Sequence, residues 1–218
     1  MRKISTLIAF IATIAVSAQN LQLHYDLERE HITTTFEMFK MDKYGNTFTF
    51  IDLDYNTGAG ISGAYFEIAR VLKTEKMPVG LHIEYNGGLG TFGSGPAQGG
   101  YTINEAWILG ANFSKGNAKW GFSTYAGYKA FTGIGGEGNY QVTGTWYYNF
   151  AKNFTFSGFA DVWSENGLTE KTVFLSEPQL WYHLNKTFSV GGEVEISNNF
   201  AYVFEFKVRP TLGVKWNF

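Results

Sequence analysis

The sequence contains no cysteine, which excludes disulfides and every metal site that depends on thiolate ligands. Proline is scarce, with 4 residues, and no long apolar run follows residue 18, so we expect no transmembrane helix in the body of the chain. The net charge of −2 offers no basic surface for nucleic acid. The sequence also shows neither a metal-ligand cluster nor a cofactor motif, so we expect no metal and no cofactor.

The first residues, "MRKISTLIAFIATIAVSAQN", have the pattern of a secretory signal peptide. A basic start at Arg2 and Lys3 precedes an apolar run, and small residues lead to a cleavage site after Ala18. The apolar run is shorter than the roughly 20 residues of a spanning helix, which disfavours a membrane anchor. We therefore predict a cleaved signal peptide at 1–18 and a single domain at 19–218.

Glycine and aromatic residues are abundant, and apolar side chains recur with a period of two. The chain has 26 glycines and 18% aromatic residues, and we find no convincing helical period after the signal peptide. Most of the alternating stretches match the roughly 9–11 residues that a tilted strand needs to cross a bilayer. The twelve predicted strands are 21–28, 31–40, 47–55, 61–73, 79–88, 101–114, 119–131, 139–151, 154–164, 172–185, 187–198 and 203–218.

The connections between these strands differ in length on the two sides. With the N-terminus in the periplasm, the outer connections include the Gly-rich "LGTFGSGPAQGG" (89–100) and "TGIGGEG" (132–138), whereas the inner ones, such as "AKN" and "NK", are short. This asymmetry is typical of outer-membrane barrels. A soluble β-sandwich or a lipocalin-like barrel is the alternative, because its strands also alternate. Only closure, however, lets twelve strands avoid open edges in lipid.

We therefore predict an all-β fold, a 12-stranded antiparallel transmembrane β-barrel of the outer-membrane type. Its location is the bacterial outer membrane, in contact with outer-membrane lipid. Pro178 and Pro210 lie inside predicted strands and lack the N–H for a ladder hydrogen bond. We expect them to mark bulges or local bends.

Charged residues determine which face of each strand points inward, because ionised groups are costly in contact with lipid. Lys40 and Arg70 are outward but near strand ends, where they can reach the interface. The predicted inward residues are Gln22, His24, Asp26, Glu28, Thr35, Glu37, Phe48, Phe50, Asp52, Asp54, Tyr65, Glu67, His82, Glu84, Asn86, Tyr125, Lys129, Gln141, Thr143, Thr145, Tyr147, Phe159, Asp161, Trp163, Glu177, Gln179, Trp181, His183, Glu193, Glu195, Glu205, Lys207 and Arg209.

The chain ends in "TLGVKWNF", an alternating strand with an aromatic end. Its even-numbered face is expected to meet lipid and its odd-numbered face water, and the strand is expected to close the barrel against 21–28. The spacing of Gly213, Trp216 and Phe218 resembles the C-terminal signal that barrel-assembly machinery recognises, so we expect that machinery as a partner during insertion. Trp216 and Phe218, with Tyr148, are predicted to form part of an aromatic girdle.

Several segments resemble the Tsx-like family of nucleoside-specific outer-membrane channels, and in particular an uncharacterised subset of it. They are "TTTFEMFKMDKYGNTFTFIDLDY", "GAYFEIARVL", "GFADVW", "EPQLWYHL", "VGGEVEISNNF" and "VKWNF", in the family's order. The resemblance implies a twelve-stranded barrel that passes nucleosides passively. Carried over by position, it places Phe48, Phe50, Asp52 and Glu67 on the solute path, and Asp161 and Glu177 less directly. The inward register adds Trp163 and Trp181.

The predicted function is a passive channel for small polar solutes such as nucleosides. Carboxylates accept hydrogen bonds from hydroxyl and amino groups, and aromatic faces stack on flat rings. Two alternatives stay open: a plugged structural or adhesive barrel, and a barrel hydrolase. A Gly-x-Ser-x-Gly motif is absent, and none of His24, His82 and His183 has a serine two residues away on its own strand. We therefore expect no enzymatic activity and name no catalytic residue.

Overall fold

The computed structural model describes residues 17–55, 60–74, 76–93, 97–134 and 138–218. The predicted signal peptide lies almost entirely outside these residues. Within them, no helix has the length and apolar character needed to span a membrane. The strands are β1 (Ser17–Asp26), β2 (Ile32–Asp42), β3 (Gly45–Tyr55), β4 (Gly63–Leu72), β5 (Gly80–Phe92), β6 (Gly99–Gly116), β7 (Trp120–Phe131), β8 (Asn139–Phe150), β9 (Phe154–Ser164), β10 (Thr172–Ser176), β11 (Gln179–His183), β12 (Phe188–Phe200) and β13 (Val203–Asn217).

The strands form one closed antiparallel sheet. Each crossing of the barrel pairs with its neighbours along the chain, and the two ends of the chain also pair, from Asn20 opposite Asn217 to Asp26 opposite Thr211. Closure pairs the backbone N–H and C=O groups within the sheet, which is what a hydrocarbon surrounding requires. The predicted closure of the last strand against the first is confirmed. The first strand, however, begins at Ser17 and ends at Asp26, so Glu28 lies in the turn that follows it.

β10 and β11 are two halves of a single crossing, so the barrel has twelve crossings, as predicted. Both halves pair with β9 and β12 without a change of register, as in Ser176 opposite Ala160 and Gln179 opposite Ser157. The interruption falls at Glu177 and Pro178. The Pro178 carbonyl still accepts a hydrogen bond from the Val194 N–H at 3.0 Å. In place of the predicted bulge or local bend, the structure shows at Pro178 an interruption of the strand with its register unchanged.

Pro210 is accommodated differently, inside β13. Its carbonyl accepts a hydrogen bond from the Leu27 N–H at 3.1 Å. The N–H and C=O of one residue in an antiparallel strand point to the same neighbour. The missing N–H therefore faces the place where β1 has already ended. The pairing of β12 with β13 keeps its register here, so the ladder beside Pro210 has a local irregularity instead of a bulge: the Glu193 N–H donates to the Thr211 hydroxyl at 3.1 Å.

The predicted long loop at 89–100 is wrong in extent, because most of it is strand. β5 continues to Phe92 and β6 begins at Gly99. Aromatic rings cover the glycines across the hairpin: a Cβ at Gly90 would lie 2.2 Å from the Tyr101 ring, and one at Gly99 would lie 2.4 Å from the Phe92 ring. An aromatic side chain packed over a cross-strand glycine supplies the contact that glycine lacks. The prediction of a long loop from the glycine content of this segment was therefore wrong.

The two faces of the sheet follow the predicted register. Along β1, Leu21, Leu23 and Tyr25 are 40–45% exposed, whereas the intervening polar side chains are at most 2% exposed. The same alternation reaches the end of β13, where the even-numbered side chains are exposed and the odd-numbered ones are not. Arg70 lies near a strand end, as predicted, and donates to Asp42 at 2.9 Å. The barrel therefore has an apolar outer surface and a polar lumen.

Gly158 provides a test of this architecture, because it packs against the interruption between β10 and β11. Its φ is +153°, and a Cβ there would lie 2.5 Å from the Glu177 carbonyl oxygen. We expect Gly158→Ala to lower the free energy of unfolding by about 2 kcal/mol, through backbone strain and the clash. The measurement is a urea titration of the barrel folded in detergent, followed by heat-modifiable gel mobility.

Gly144 is the matched control, since no heavy atom lies within 4 Å of its added Cβ. Gly144→Ala is expected to change the free energy of unfolding by less than about 0.5 kcal/mol. Equal losses in the two variants would contradict the role given to Gly158.

Candidate functional site in the barrel lumen

Some inward carboxylates are held by several hydrogen bonds or ion pairs from their neighbours and act as structural braces. Glu84 accepts hydrogen bonds from His82 Nε2 at 2.9 Å, the Tyr125 hydroxyl at 2.8 Å and Asn86 Nδ2 at 2.9 Å. The His82 ring also stacks on the Tyr125 ring, with centroids 3.7 Å apart. This cluster links β5 to β7, and Gln141 extends it to β8 by donating to the Tyr125 hydroxyl. Its carboxylate accepts three hydrogen bonds and is only 1% exposed, so a solute does not reach it.

A second braced group lies where the barrel closes. Arg209 on β13 donates to Glu195 on β12 at 2.7 Å and to Glu28 at 2.6 Å. Arg29, in the turn after β1, contacts Glu195 at 3.2 Å and Asp26 at 2.7 Å. Two guanidinium groups thus connect β1, β12 and β13 on the lumen side, and charge-assisted bonds of this kind are the strong ones.

A third set, which we call the lumen carboxylates, differs from Glu84 in the number of hydrogen bonds accepted: Glu37, Asp52 and Glu193 accept one side-chain hydrogen bond each, whereas Glu84 accepts three. Its members are half-buried, and in the described part of the chain none of them forms an ion pair with a lysine or an arginine. Their nearest polar contacts are neutral or with histidine, such as the Thr35 hydroxyl that donates to Asp52 at 2.5 Å and Gln179 that donates to Glu193 at 2.9 Å. The lumen carboxylates are Glu37, Asp52, Glu67, Asp161, Glu177 and Glu193.

These carboxylates repel one another across the lumen. Glu67 on β4 experiences the charges of Glu84 on β5, Asp161 on β9 and Asp52 on β3, opposed by the charge of Lys129 on β7. Glu177 likewise experiences those of Glu193 and Asp52. β4 and β9 are nearly opposite in the strand order, so the lumen carboxylates from the two walls face one another. Rings of acidic side chains are the usual device of cation-selective pores.

Aromatic side chains alternate with carboxylates on one wall. Phe50 lies directly opposite Glu67, and Asp52 lies directly opposite Tyr65. The rings form a strip, with centroids 5.9 Å apart for Phe48 and Phe50 and 5.8 Å apart for Phe50 and Tyr65. The structure therefore brings four of the predicted path residues together, and Tyr65 joins them.

The remaining predicted path residues are inward but differently placed. Asp161 and Glu177 belong to the lumen carboxylates, on the far wall. Trp163 and Trp181 are inward as expected, yet both are buried, and Trp181 is only 1% exposed. Neither tryptophan presents an open ring to the lumen. In this they differ from Phe48, Phe50 and Tyr65 of the aromatic strip, which are half-buried.

An apolar cluster occupies the lumen beside the outer loops, which the sequence did not predict. It consists of buried Ala106, Phe131, Trp163, Val173 and Leu175, and loop residues Ile134 and Leu168 pack against it together with Phe159 and Phe200. Tyr202, in the turn between β12 and β13, accepts a hydrogen bond from Asn104 on β6 at 3.2 Å. The mouth is thus covered on the β6–β10 side. Water reaches its other side, where the side chains of Glu28, Arg29 and Asp54 are 40–43% exposed.

One serine–histidine pair exists, although no local motif signalled it. His183 Nδ1 lies 2.8 Å from the Ser189 hydroxyl on the adjacent strand. Ser189 is 1% exposed, and His183 Nε2 contacts the Thr155 hydroxyl at 2.7 Å where a hydrolase has a carboxylate. The pair therefore lacks the accessible nucleophile and the orienting acid of a Ser–His site. No group of potential metal ligands occurs among the described residues.

The end of the chain is held in the sheet. The Phe218 N–H donates to the Gln19 carbonyl at 3.2 Å, and the Trp216 and Phe218 rings lie 4.8 Å apart on the outer face. Gly213 is on the inner face, opposite His24. The recognition of these residues by assembly machinery stays a prediction.

The chain belongs to the family described as Domain of unknown function (DUF5020), which matches residues 18–218. Comparison with the curated proteins finds no match. Similar solved structures include a NanC porin, at 11% identity and a TM-score of 0.59 over 91% of this chain and 99% of that one. A KdgM porin is similar at 13% identity and a TM-score of 0.54 over 93% and 99%. A structure of the KdgM porin in complex with disordered oligogalacturonate is similar at 13% identity and a TM-score of 0.52, over 93% of this chain and 99% of that one.

At these identities the likeness concerns the fold, which is the closed barrel of outer-membrane porins.

Arg209 provides a test of the braced group at the closure. Arg209→Met is expected to lower the free energy of unfolding by about 3 kcal/mol or more, because it leaves the buried Glu195 without its closest cation. The measurement is the same urea titration in detergent.

Lys207→Met is the control, since Lys207 pairs with Glu205 at 2.8 Å where both side chains are more exposed. Its expected cost is below about 1 kcal/mol. A loss in Lys207→Met as large as that in Arg209→Met would show that the buried guanidinium has no special role.

Proposed function

We propose that this protein is a passive channel of the bacterial outer membrane for small polar solutes. The observation that carries the proposal is the set of lumen carboxylates, which face one another and, among the described residues, form no direct ion pair with a lysine or an arginine. Carboxylates inside a protein without a direct ion-pair partner cost folding free energy, so their retention favours a role in contact with water and solute. The likeness to porins supports the same class. The proposal includes export through a cleaved signal peptide and insertion by barrel-assembly machinery.

Within this class, nucleosides are the solutes that best fit the lining. Asp52 and Glu67 offer acceptors for ribose hydroxyls and amino groups, and Phe50 and Tyr65 offer ring faces beside them. The resemblance to Tsx-like channels points to the same solutes. The oligogalacturonate in one KdgM complex is polyanionic, and the unpaired charges of this lumen are themselves negative. We therefore expect a different solute preference here.

A plugged structural barrel is the second candidate, and the apolar cluster favours it. Inward apolar side chains that pack against loop residues close part of the mouth. Conductance in a planar bilayer separates the two candidates, because a plugged barrel inserts without opening a current path.

The first functional prediction concerns ion selectivity. We expect the barrel to conduct and to prefer K⁺ to Cl⁻, since the lumen carboxylates attract cations. The double variant Asp52→Asn/Glu67→Gln should lower the K⁺/Cl⁻ permeability ratio, measured as the reversal potential in a salt gradient, by roughly half or more.

Glu170→Gln is the matched control, because Glu170 lies in an exposed outer turn where its Oε1 accepts the Gly167 N–H. It loses one charge at the surface and should leave the reversal potential nearly unchanged. An anion-preferring wild-type barrel, or equal effects of the control and the lumen variant, would contradict the role of the lumen carboxylates. Insertions without current would favour the plugged barrel.

The second functional prediction concerns the solute. Uridine added to a conducting barrel should reduce the current in a saturable manner. Glu67→Gln should raise the half-blocking concentration about tenfold, since it exchanges a charged acceptor for a neutral one. Glu205→Gln, at the exposed mouth beside Lys207, should leave it unchanged. Unchanged block in Glu67→Gln removes Glu67 from the solute site, and conductance without any block leaves a channel for other solutes.

A further inference from the structure

The indole of Trp181 is held in a fixed position on the lumen wall. Its Nε1–H donates to Gln179 Oε1 at 2.9 Å, and Gln179 Nε2 in turn donates to Glu193 Oε2 at 2.9 Å. The His24 ring meets it edge-on, with centroids 5.6 Å apart and an interplanar angle of 80°. Hydrogen bonds to Gln22 and Thr211 hold His24 itself. The indole is therefore held in place by two contacts: the hydrogen bond from its Nε1–H and the packing of the His24 ring against it.

Two glycines form the floor on which these rings lie. Trp181 is opposite Gly191, Gly191 is opposite Gly213, and Gly213 is opposite His24 in one row across four strands. A Cβ at Gly191 would lie 2.0 Å from the Leu180 carbonyl oxygen and 2.9 Å from the indole, and a Cβ at Gly213 would lie 3.0 Å from His24 Nδ1. A side chain at either position would therefore crowd both the backbone and the ring that lies on it.

The other face of the indole is covered by a cation. Lys215 Nζ lies 4.2 Å from the centre of the Trp181 ring, which is the geometry of a cation–π interaction. Lys215 also experiences the charges of Glu37 and Glu193, both of them lumen carboxylates. Two positions therefore favour the Lys215 ammonium group: over the indole face, where it lies in the structure, and beside the two carboxylates.

We propose that the Trp181 face is a binding site for organic cations, of the alkylammonium or quaternary ammonium class, with Lys215 as its resident occupant. Because Trp181 is only 1% exposed, a solute cation reaches the ring only by replacing the Lys215 ammonium, and the displaced ammonium moves to Glu37 and Glu193. After the exchange one cation still lies over the indole face, and the displaced ammonium group is paired with carboxylates. The inference rests on the proposed channel only in that a solute must be able to enter the lumen.

The test uses the detergent-folded barrel labelled with 5-fluorotryptophan and observed by ¹⁹F NMR. The chain has 6 tryptophans, and the Trp181 resonance is assigned as the one that Trp181→Leu removes. The probe is tetramethylammonium, which has no N–H group and so cannot be held by hydrogen bonds to carboxylates. In wild type we expect a saturable shift of the Trp181 resonance. In Lys215→Met, which removes the competitor, half-saturation should occur at about tenfold lower concentration.

Lys129 provides the matched control for loss of one positive charge. Its Nζ lies 4.7 Å from the Trp163 ring centre, but that ring belongs to the apolar cluster, and Lys129 donates to Gln141 at 2.8 Å. Lys129→Met should leave the Trp181 titration as in wild type, and the Trp163 resonance should not follow tetramethylammonium in Lys215→Met.

The proposal is overturned if the Trp181 resonance does not move in Lys215→Met, or if Lys129→Met increases the affinity as much as Lys215→Met does. Lys215→Gln serves in the same titration should Lys215→Met fail to fold. Because the readout needs no current, a non-conducting barrel that shows the shift contradicts the channel and keeps the cation site. A conducting barrel in which the Trp181 resonance does not shift keeps the proposed channel and contradicts the cation site.

Discussion

A backbone surrounded by hydrocarbon must find all its hydrogen-bond partners within the protein, and this structure depends on that requirement first. Closure of β1 on β13 meets it, and the twelve crossings follow from it. Even the prolines conform. At Pro210, the backbone nitrogen that lacks a hydrogen faces the place where β1 has already ended. Pro178 lies where one crossing is interrupted, and the strand pairing keeps its register there.

Closure also creates a lumen in which side chains from opposite strands interact. The barrel treats its inward acids in two ways. Glu84 and Glu195 are saturated by neighbouring donors and hold strands together. The lumen carboxylates accept fewer hydrogen bonds, as Asp52 and Glu193 show, and face one another, at a cost in folding free energy. That contrast, more than the number of acids, distinguishes the parts of the lumen that support the wall from those available to a solute.

The fold followed from the sequence because its two strongest signals are local. Alternation predicts strands, and the cost of charge in lipid decides the inward face, as Asp52 and Glu67 illustrate. Tilt and packing are not local. The facing of Glu67 and Asp161 depends on how strands slope around the barrel, and the burial of Trp181 depends on glycines from two other strands. The strand at 89–92 was missed because the Tyr101 ring that covers Gly90 comes from the other side of the hairpin.

The pairing of the chain's two ends also has a consequence for the order of events during biogenesis. Among the described strands β1 is made first, yet one of its partners, β13, is the strand farthest from it along the chain. That edge of β1 therefore stays without its native partner until β13 has also been made. An open edge is a site for wrong pairing. The pairing of β1 with β13 is thus exposed to competition from other strands for longer than any other pairing of the described sheet.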